Sequence, residues 1–176
     1  MLKERVSIFI DGSNFYHSTA KKGKRVNFQK LIDELVGNRE LINVFYYVAP
    51  LDIEANEDKY WSHQRFINKL RQILKFKVVL CTLKKIKIDG KKYIYVVKGD
   101  DVKLSNNLLM GAVDNLYDTA IVISGDEDFI DSIDIVRKRY KKSVGNAYFS
   151  RSSSSNLRKA CDFSVNINKI FPKIID

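Results

Sequence analysis

Two apolar runs in this chain lead into aspartates. Ile8-Phe9-Ile10 is followed by Asp11, and Ile121-Val122-Ile123 by Ser124-Gly125-Asp126-Glu127-Asp128. Hard divalent ions such as Mg²⁺ or Mn²⁺ select charged oxygen donors, so carboxylates at the ends of two buried strands suit such an ion. A further acid, Asp101 in Lys98-Gly99-Asp100-Asp101, opens the helix that feeds the second of these strands. If Asp11, Asp101, Asp126 and Asp128 share one small space, they stay ionised together at neutral pH only with cations between them. Each acid alone has a local explanation. Asp126 or Asp128 can cap the following helix, Asp11 can hold its turn, and Asp101 can answer the helix dipole. Capping explains poorly why two acids occupy one turn and another ends a neighbouring buried strand.

The positions of these acids depend on the elements around them. Val6 to Ile10 reads as a buried strand, and a helix is expected after it with Ser13 or Asn14 as N-cap. Phe28, Leu31, Ile32, Leu35 and Val36 recur at helical spacing, Val44 to Val48 is strand-like, and Glu57 to Leu74 forms a long amphipathic helix. Val78 to Cys81 is a third strand. Ile86 to Ile88 and Tyr93 to Val97 flank Asp89-Gly90, a hairpin signal. A helix from about Val102, the strand Ala120 to Ile123, a helix from Phe129, the strand Val144 to Phe149 and a short helix and strand ending near Val165 complete the pattern. Alternating strands and helices predict an α/β fold: one Rossmann-like domain over residues 1–176, with a mostly parallel sheet, helices on both faces and a β-hairpin insertion. In such sheets sites form at the carboxyl ends of the strands. The helix opened by Asp101 runs antiparallel to the strands and its start need not lie at the same edge as Asp11; the hairpin is a means of returning the chain to it.

The 176 residues carry a net charge of +10, and 45% are hydrophobic, a balance that supports a folded core. Cations gather at Lys21 to Arg25, Lys84 to Lys92 and Arg137 to Lys142. A basic exterior around an acidic pocket suits a metal-dependent enzyme acting on a polyanion, although lysine-rich chains are also basic without binding one. Cys81 and Cys161 form no CxxC pattern, which excludes a disulfide scaffold and a structural zinc site. The run Val6 to Ile10 is too short for a signal-peptide core, and no segment approaches the roughly 18 to 20 apolar residues of a membrane span. A soluble, cytoplasmic protein is expected.

Lys84, Lys85, Lys87, Lys91 and Lys92 are interleaved with Tyr93 and Tyr95 in the hairpin. They fit tracking of a single-stranded backbone, and equally a solvated edge whose lysines prevent sheet aggregation. Arg151, in the loop Ser150 to Asn156, and Ser13 are further candidates for RNA contact. His17, one turn after Asn14, is within reach of the site but reads first as a surface or half-buried helical residue. Tyr60, Trp61 and Phe66 read as core or as the contact of a homodimer.

Three segments together resemble the motifs of NYN domains, PIN-like nucleases of the LabA-like type. They are Ile8-Phe9-Ile10-Asp11-Gly12-Ser13-Asn14-Phe15, Lys98-Gly99-Asp100-Asp101-Val102, and Ser124-Gly125-Asp126-Glu127-Asp128-Phe129. Leu157, Ala160, Asp162 and Phe163 are similar to the family's C-terminal segment. The resemblance implies a PIN-like fold and metal-dependent, endonucleolytic hydrolysis of RNA that leaves 5′-phosphates. By the same resemblance Asp11, Asp101, Asp126 and Asp128 hold one or two Mg²⁺ or Mn²⁺ ions, and Asn14 holds the first aspartate or a phosphate. Many members carry a further Asp where this chain has Asn106 and Asn107, which bears on a second ion. The alternative is a weakened NYN domain that binds RNA or a protein without cutting. Two rival motifs fail. A von Willebrand type A site needs serine where Phe15 stands, and a haloacid dehalogenase needs Asp where Ser13 stands.

Overall fold

A computed structural model describes residues 2–89 and 92–176. The chain begins with β1 (Arg5–Asp11), α1 (Gly12–Thr19), α2 (Phe28–Val36), β2 (Glu40–Val48), α3 (Glu57–Arg71) and β3 (Phe76–Leu80). A two-stranded ribbon of β4 (Thr82–Asp89) and β5 (Lys92–Lys98) follows, then α4 (Asp100–Val113), β6 (Thr119–Ile123) and α5 (Ile130–Lys138). The chain ends with β7 (Ser143–Tyr148), α6 (Ser155–Ala160), β8 (Phe163–Asn166) and α7 (Ile167–Ile170). The Asp-Gly turn expected between β4 and β5 falls at Gly90, outside the described residues, as does Lys91. No helix among the described residues is long and apolar enough to cross a membrane.

Six strands form one parallel sheet in the order β3-β2-β1-β6-β7-β8. The order reverses between β1 and β6, the crevice where ligands bind in sheets of this kind. Strands at that position are covered on both faces, which explains their unbroken apolar runs. Alternate residues serve opposite cores. Val6, Ile8, Ile10, Ile121 and Ile123 pack with Phe15 of α1, Leu31 of α2 and Leu70 of α3. Phe9, Ala120 and Val122 pack with Leu104 and Leu108 of α4, Ile133 of α5 and Leu157 of α6. Each fully buried Leu, Ile or Phe contributes about 1.5–3 kcal/mol and each helix cap about 1 kcal/mol. The two cores therefore set where the elements lie, and the caps adjust where the helices begin.

Three expectations need correction. The N-cap of α1 is Asp11, whose carboxylate accepts the Asn14 backbone N–H at 3.0 Å, so neither Ser13 nor Asn14 caps the helix. The chain continues past β8 into α7 and a 3₁₀ turn at Phe171–Lys173, which place Ile167 and Ile174 in the first core. Polar Asn166 and Asn168 interrupt the apolar spacing there and hide a helix this short. Of the two roles expected for Trp61, a core position is excluded: it is 49% exposed and lies outside both cores, with its indole N–H donating to Glu57.

Candidate metal centre

The site is built from strand ends. β1 and β6 are paired with Ile10 opposite Ile123, so Asp11 and Ser124 leave the sheet side by side. Asp11 is 6% exposed, and both carboxylate oxygens are engaged. One accepts the Asn14 N–H, and the other accepts the Ser124 hydroxyl at 2.8 Å. The same Ser124 oxygen accepts the Asp126 backbone N–H at 3.1 Å. A relay of hydrogen bonds thus runs from the end of β1 to Asp126. Asp126 in turn caps a 3₁₀ turn at Glu127–Phe129, accepting the Asp128 N–H at 3.0 Å. Capping and site formation, weighed as alternatives in the sequence, are done by the same side chains.

The ribbon returns the chain to this edge. β4 runs outward and β5 runs back, and Gly99, at φ +82°, turns the chain into α4. Only glycine adopts that backbone angle without strain. Asp101 in the first turn of α4 then meets Asp126 and Asp128, and one carboxylate oxygen from each lies within 4.8 Å of the others. Asp11 is not in this trio and stands behind it as a buried support. Asp100 is the acid that sequence reasoning passed over. It lies outside the trio, but its charge raises the pKa of both Asp11 and Asp101. Its signal was its place beside Asp101, but adjacent helical residues diverge by about 100°, so adjacency alone did not assign it.

The electrostatics follow from this crowding. Burial, then the charges of Asp100, Asp11, Asp126 and Asp128, push the Asp101 carboxyl up to about 6. Burial also raises Asp11, against the hydrogen bonds from Asn14 and Ser124. The folded-state pKa of Asp101 lies above its ordinary value of 3.8, so between about pH 4 and 6 the native state binds more protons than the unfolded chain. Stability from this group is therefore lost as pH rises through that window. In EDTA, Asp101→Asn is expected to melt above the parent at pH 7 and to lose that advantage toward pH 4. Mn²⁺ should raise the melting temperature of the parent and not that of the variant. A parent-to-variant difference that is flat in pH would contradict this account.

The other candidates are spread more widely. Asn14 holds Asp11 through its backbone N–H, and Ser13 is half-buried in the first turn of α1. Asn107 donates to the Tyr47 hydroxyl at 3.0 Å, and Asn106 is exposed. Arg151 is exposed in the loop that crosses Gly125. Lys84, Lys87 and Lys92 are exposed on the ribbon, whereas Lys85 pairs with Asp52 at 3.7 Å and Glu54 at 3.5 Å. In the basic run near residue 140, Arg137 binds Asp162 and Lys142 binds Asn115 and Asp118, so these cations brace the fold.

The donor set fits a hard cation. Three carboxylates that can each offer an oxygen within 4.8 Å of the others are the ligand type that Mg²⁺ and Mn²⁺ take.

A family model described as the NYN domain matches residues 5–168. No curated protein gives a match. Among solved structures, the chain is similar to a protein of unknown function from Vibrio parahaemolyticus RIMD 2210633, with 23% identity and a TM-score of 0.74. The alignment covers 99% of this chain and 97% of that one. At that identity the likeness shows the fold.

Proposed function

This chain belongs to the NYN domain family, PIN-like nuclease domains, and from that premise we propose that it is a metal-dependent ribonuclease that cuts RNA phosphodiester bonds endonucleolytically. The observation that supports the reading is the convergence of Asp101, Asp126 and Asp128 at the crevice between β1 and β6. These three would hold Mg²⁺ or Mn²⁺. A bound ion supplies charge neutralisation at the phosphate and the leaving oxygen, and acidifies the attacking water. The protein's own part is positioning. Asp11 fixes Ser124, Ser124 fixes the backbone of Asp126, and Asp126 fixes that of Asp128. Asp128 is the exposed member of the trio, while Asp11 is buried and would hold the frame that positions it.

The test is incubation of the purified protein with single- and double-stranded RNA and DNA, with and without Mn²⁺. Cleavage of RNA that needs the metal and yields 5′-phosphate ends is the expected result. RNA left intact under every condition, with bound RNA or protein as the sole activity, would replace this reading with that of a non-cutting regulator.

A further inference from the structure

The β4–β5 ribbon has two chemically different faces. Its register sets Leu83 opposite Val97, Lys85 opposite Tyr95, and Lys87 opposite Tyr93, so these six share one face. Lys84 with Val96, and Ile86 with Ile94, share the other. The first face is rooted in the protein, because Leu83 and Val97 pack against the second core. Above that root it is pinned. The Tyr95 hydroxyl donates to Asp52 at 2.8 Å, and Lys85 reaches Asp52 and Glu54. The Lys85 ammonium also lies 4.9 Å from the centre of the Tyr93 ring and 5.9 Å from that of Tyr95. An isolated two-stranded ribbon is marginal in water, so these pins hold its direction. Tyr93 and Lys87 extend this face outward, with Tyr93 48% exposed.

At the foot of this face, between the ribbon and residues 50–52, lies an open cavity of about 380 Å³, lined by Pro50, Leu51, Cys81, Leu83, Lys85 and Tyr95 among others. Its floor at Cys81 lies beside the start of α4, where Lys103 donates to the Leu80 carbonyl at 2.6 Å. Burial, and next the charge of Asp100 with a smaller part from Asp101, raise the Cys81 thiol to about 11. The cavity thus lies between the exposed aromatic and cationic groups of the ribbon and the end of α4 that carries Asp101.

We propose that the Lys87–Tyr93–Tyr95 face of the ribbon and the cavity at its foot hold the single-stranded stretch of RNA next to the phosphate that is cut. The proposal rests on the ribonuclease reading above and adds the route by which substrate reaches that site. Charge selects the occupant. Lys87 is exposed on this face, Lys84 and Lys98 are exposed on the opposite one, and the chain carries a net charge of +10, which together draw a polyanion to the ribbon. An exposed tyrosine ring can stack only on a base that is free of its own stack, which favours single strands over duplex.

The test measures binding in EDTA, where no metal-dependent cutting occurs, using a fluorescent single-stranded RNA oligomer and the same oligomer as a duplex. Tyr93→Ala is expected to weaken single-strand binding about tenfold, and Tyr93→Phe, which keeps the ring, to retain it. Lys87→Gln should flatten the salt dependence by about 0.7 in the log–log slope, the share of one phosphate contact. Duplex binding should change less than twofold in all three variants. Ile86→Ser with Ile94→Ser, on the opposite face, should leave binding unchanged. Parent-like binding by both Tyr93→Ala and Lys87→Gln would overturn the proposal. A loss confined to the isoleucine variant, or one accompanied by dissociation of a dimer in light scattering, would overturn it too. The two readings fail separately. Tyr93-dependent binding without metal-dependent cleavage removes the nuclease, and cleavage with ribbon variants indifferent to RNA removes the ribbon.

Discussion

Asp126→Asn is expected to lower Mn²⁺-dependent RNA cleavage by at least about a hundredfold while the protein stays folded. Residues that merely orient metal ligands cost 10- to 100-fold when replaced, so a member of the carboxylate trio should cost no less. The fold should survive for two reasons. The asparagine carbonyl can still accept the Asp128 N–H that Asp126 now accepts. The substitution also removes one negative charge from a cluster in which Asp126 raises the pKa of Asp11 and Asp101. In EDTA the variant should therefore melt no lower than the parent. Asp11→Asn is a less clean probe. That side chain is buried and receives both an N–H and the Ser124 hydroxyl, so an amide there disturbs the relay to Asp126 as well as the charge. Initial rates on a labelled RNA, together with melting curves, check the prediction. A folded Asp126→Asn protein that cuts at the parental rate would remove the site from the reaction.

Gly125→Ala should damage folding and cleavage together. A β-carbon at position 125 would stand 1.4 Å from the Ser152 carbonyl oxygen and 2.6 Å from its carbon. Both are backbone atoms, so no rotamer change relieves the clash. The loop between β7 and α6 must move as a body. It would take with it the bond from the Ser154 N–H to the Gly125 carbonyl and the Ser154 cap of α6. Overpacking of this kind costs about 1–3 kcal/mol, and more where backbone meets backbone. Gly125 lies between Ser124 and Asp126, so the displacement passes directly into the relay that orients the trio. Urea unfolding should show the loss, with cleavage reduced in the fraction that remains folded. A variant within about 0.5 kcal/mol of the parent would mean that the loop yields more easily than its contacts indicate.

Much of the sheet was legible because burial on both faces demands a continuous apolar run. Val6 to Ile10 and Ala120 to Ile123 could be read as buried strands, and the structure pairs them side by side. Asp11 and Asp126 were legible as strand-end acids because position along a strand is a local property. Asp101 was only half legible. Its place in a first helical turn was clear, but whether that turn met β6 depended on the ribbon returning the chain. The burial of Asp11 beside the trio and the charge that Asp100 adds to it could not be read at all, since both depend on where neighbouring elements sit.

The lysines give the same lesson in another form. Their sequence shows one basic cluster, whereas the ribbon register divides it between two faces, with Lys85 and Lys87 on one and Lys84 on the other. Lys85 is further committed to Asp52 and Glu54, acids more than thirty residues away. By itself, then, the sequence determined the fold class, the strands of the crevice, and which acids could reach its edge. Those properties follow from apolar periodicity and short turns. The tertiary structure alone decided which carboxylates meet within 4.8 Å and which face of the ribbon leads to them. Distances between side chains on different elements are set by packing across two cores, and no local pattern of residues encodes them.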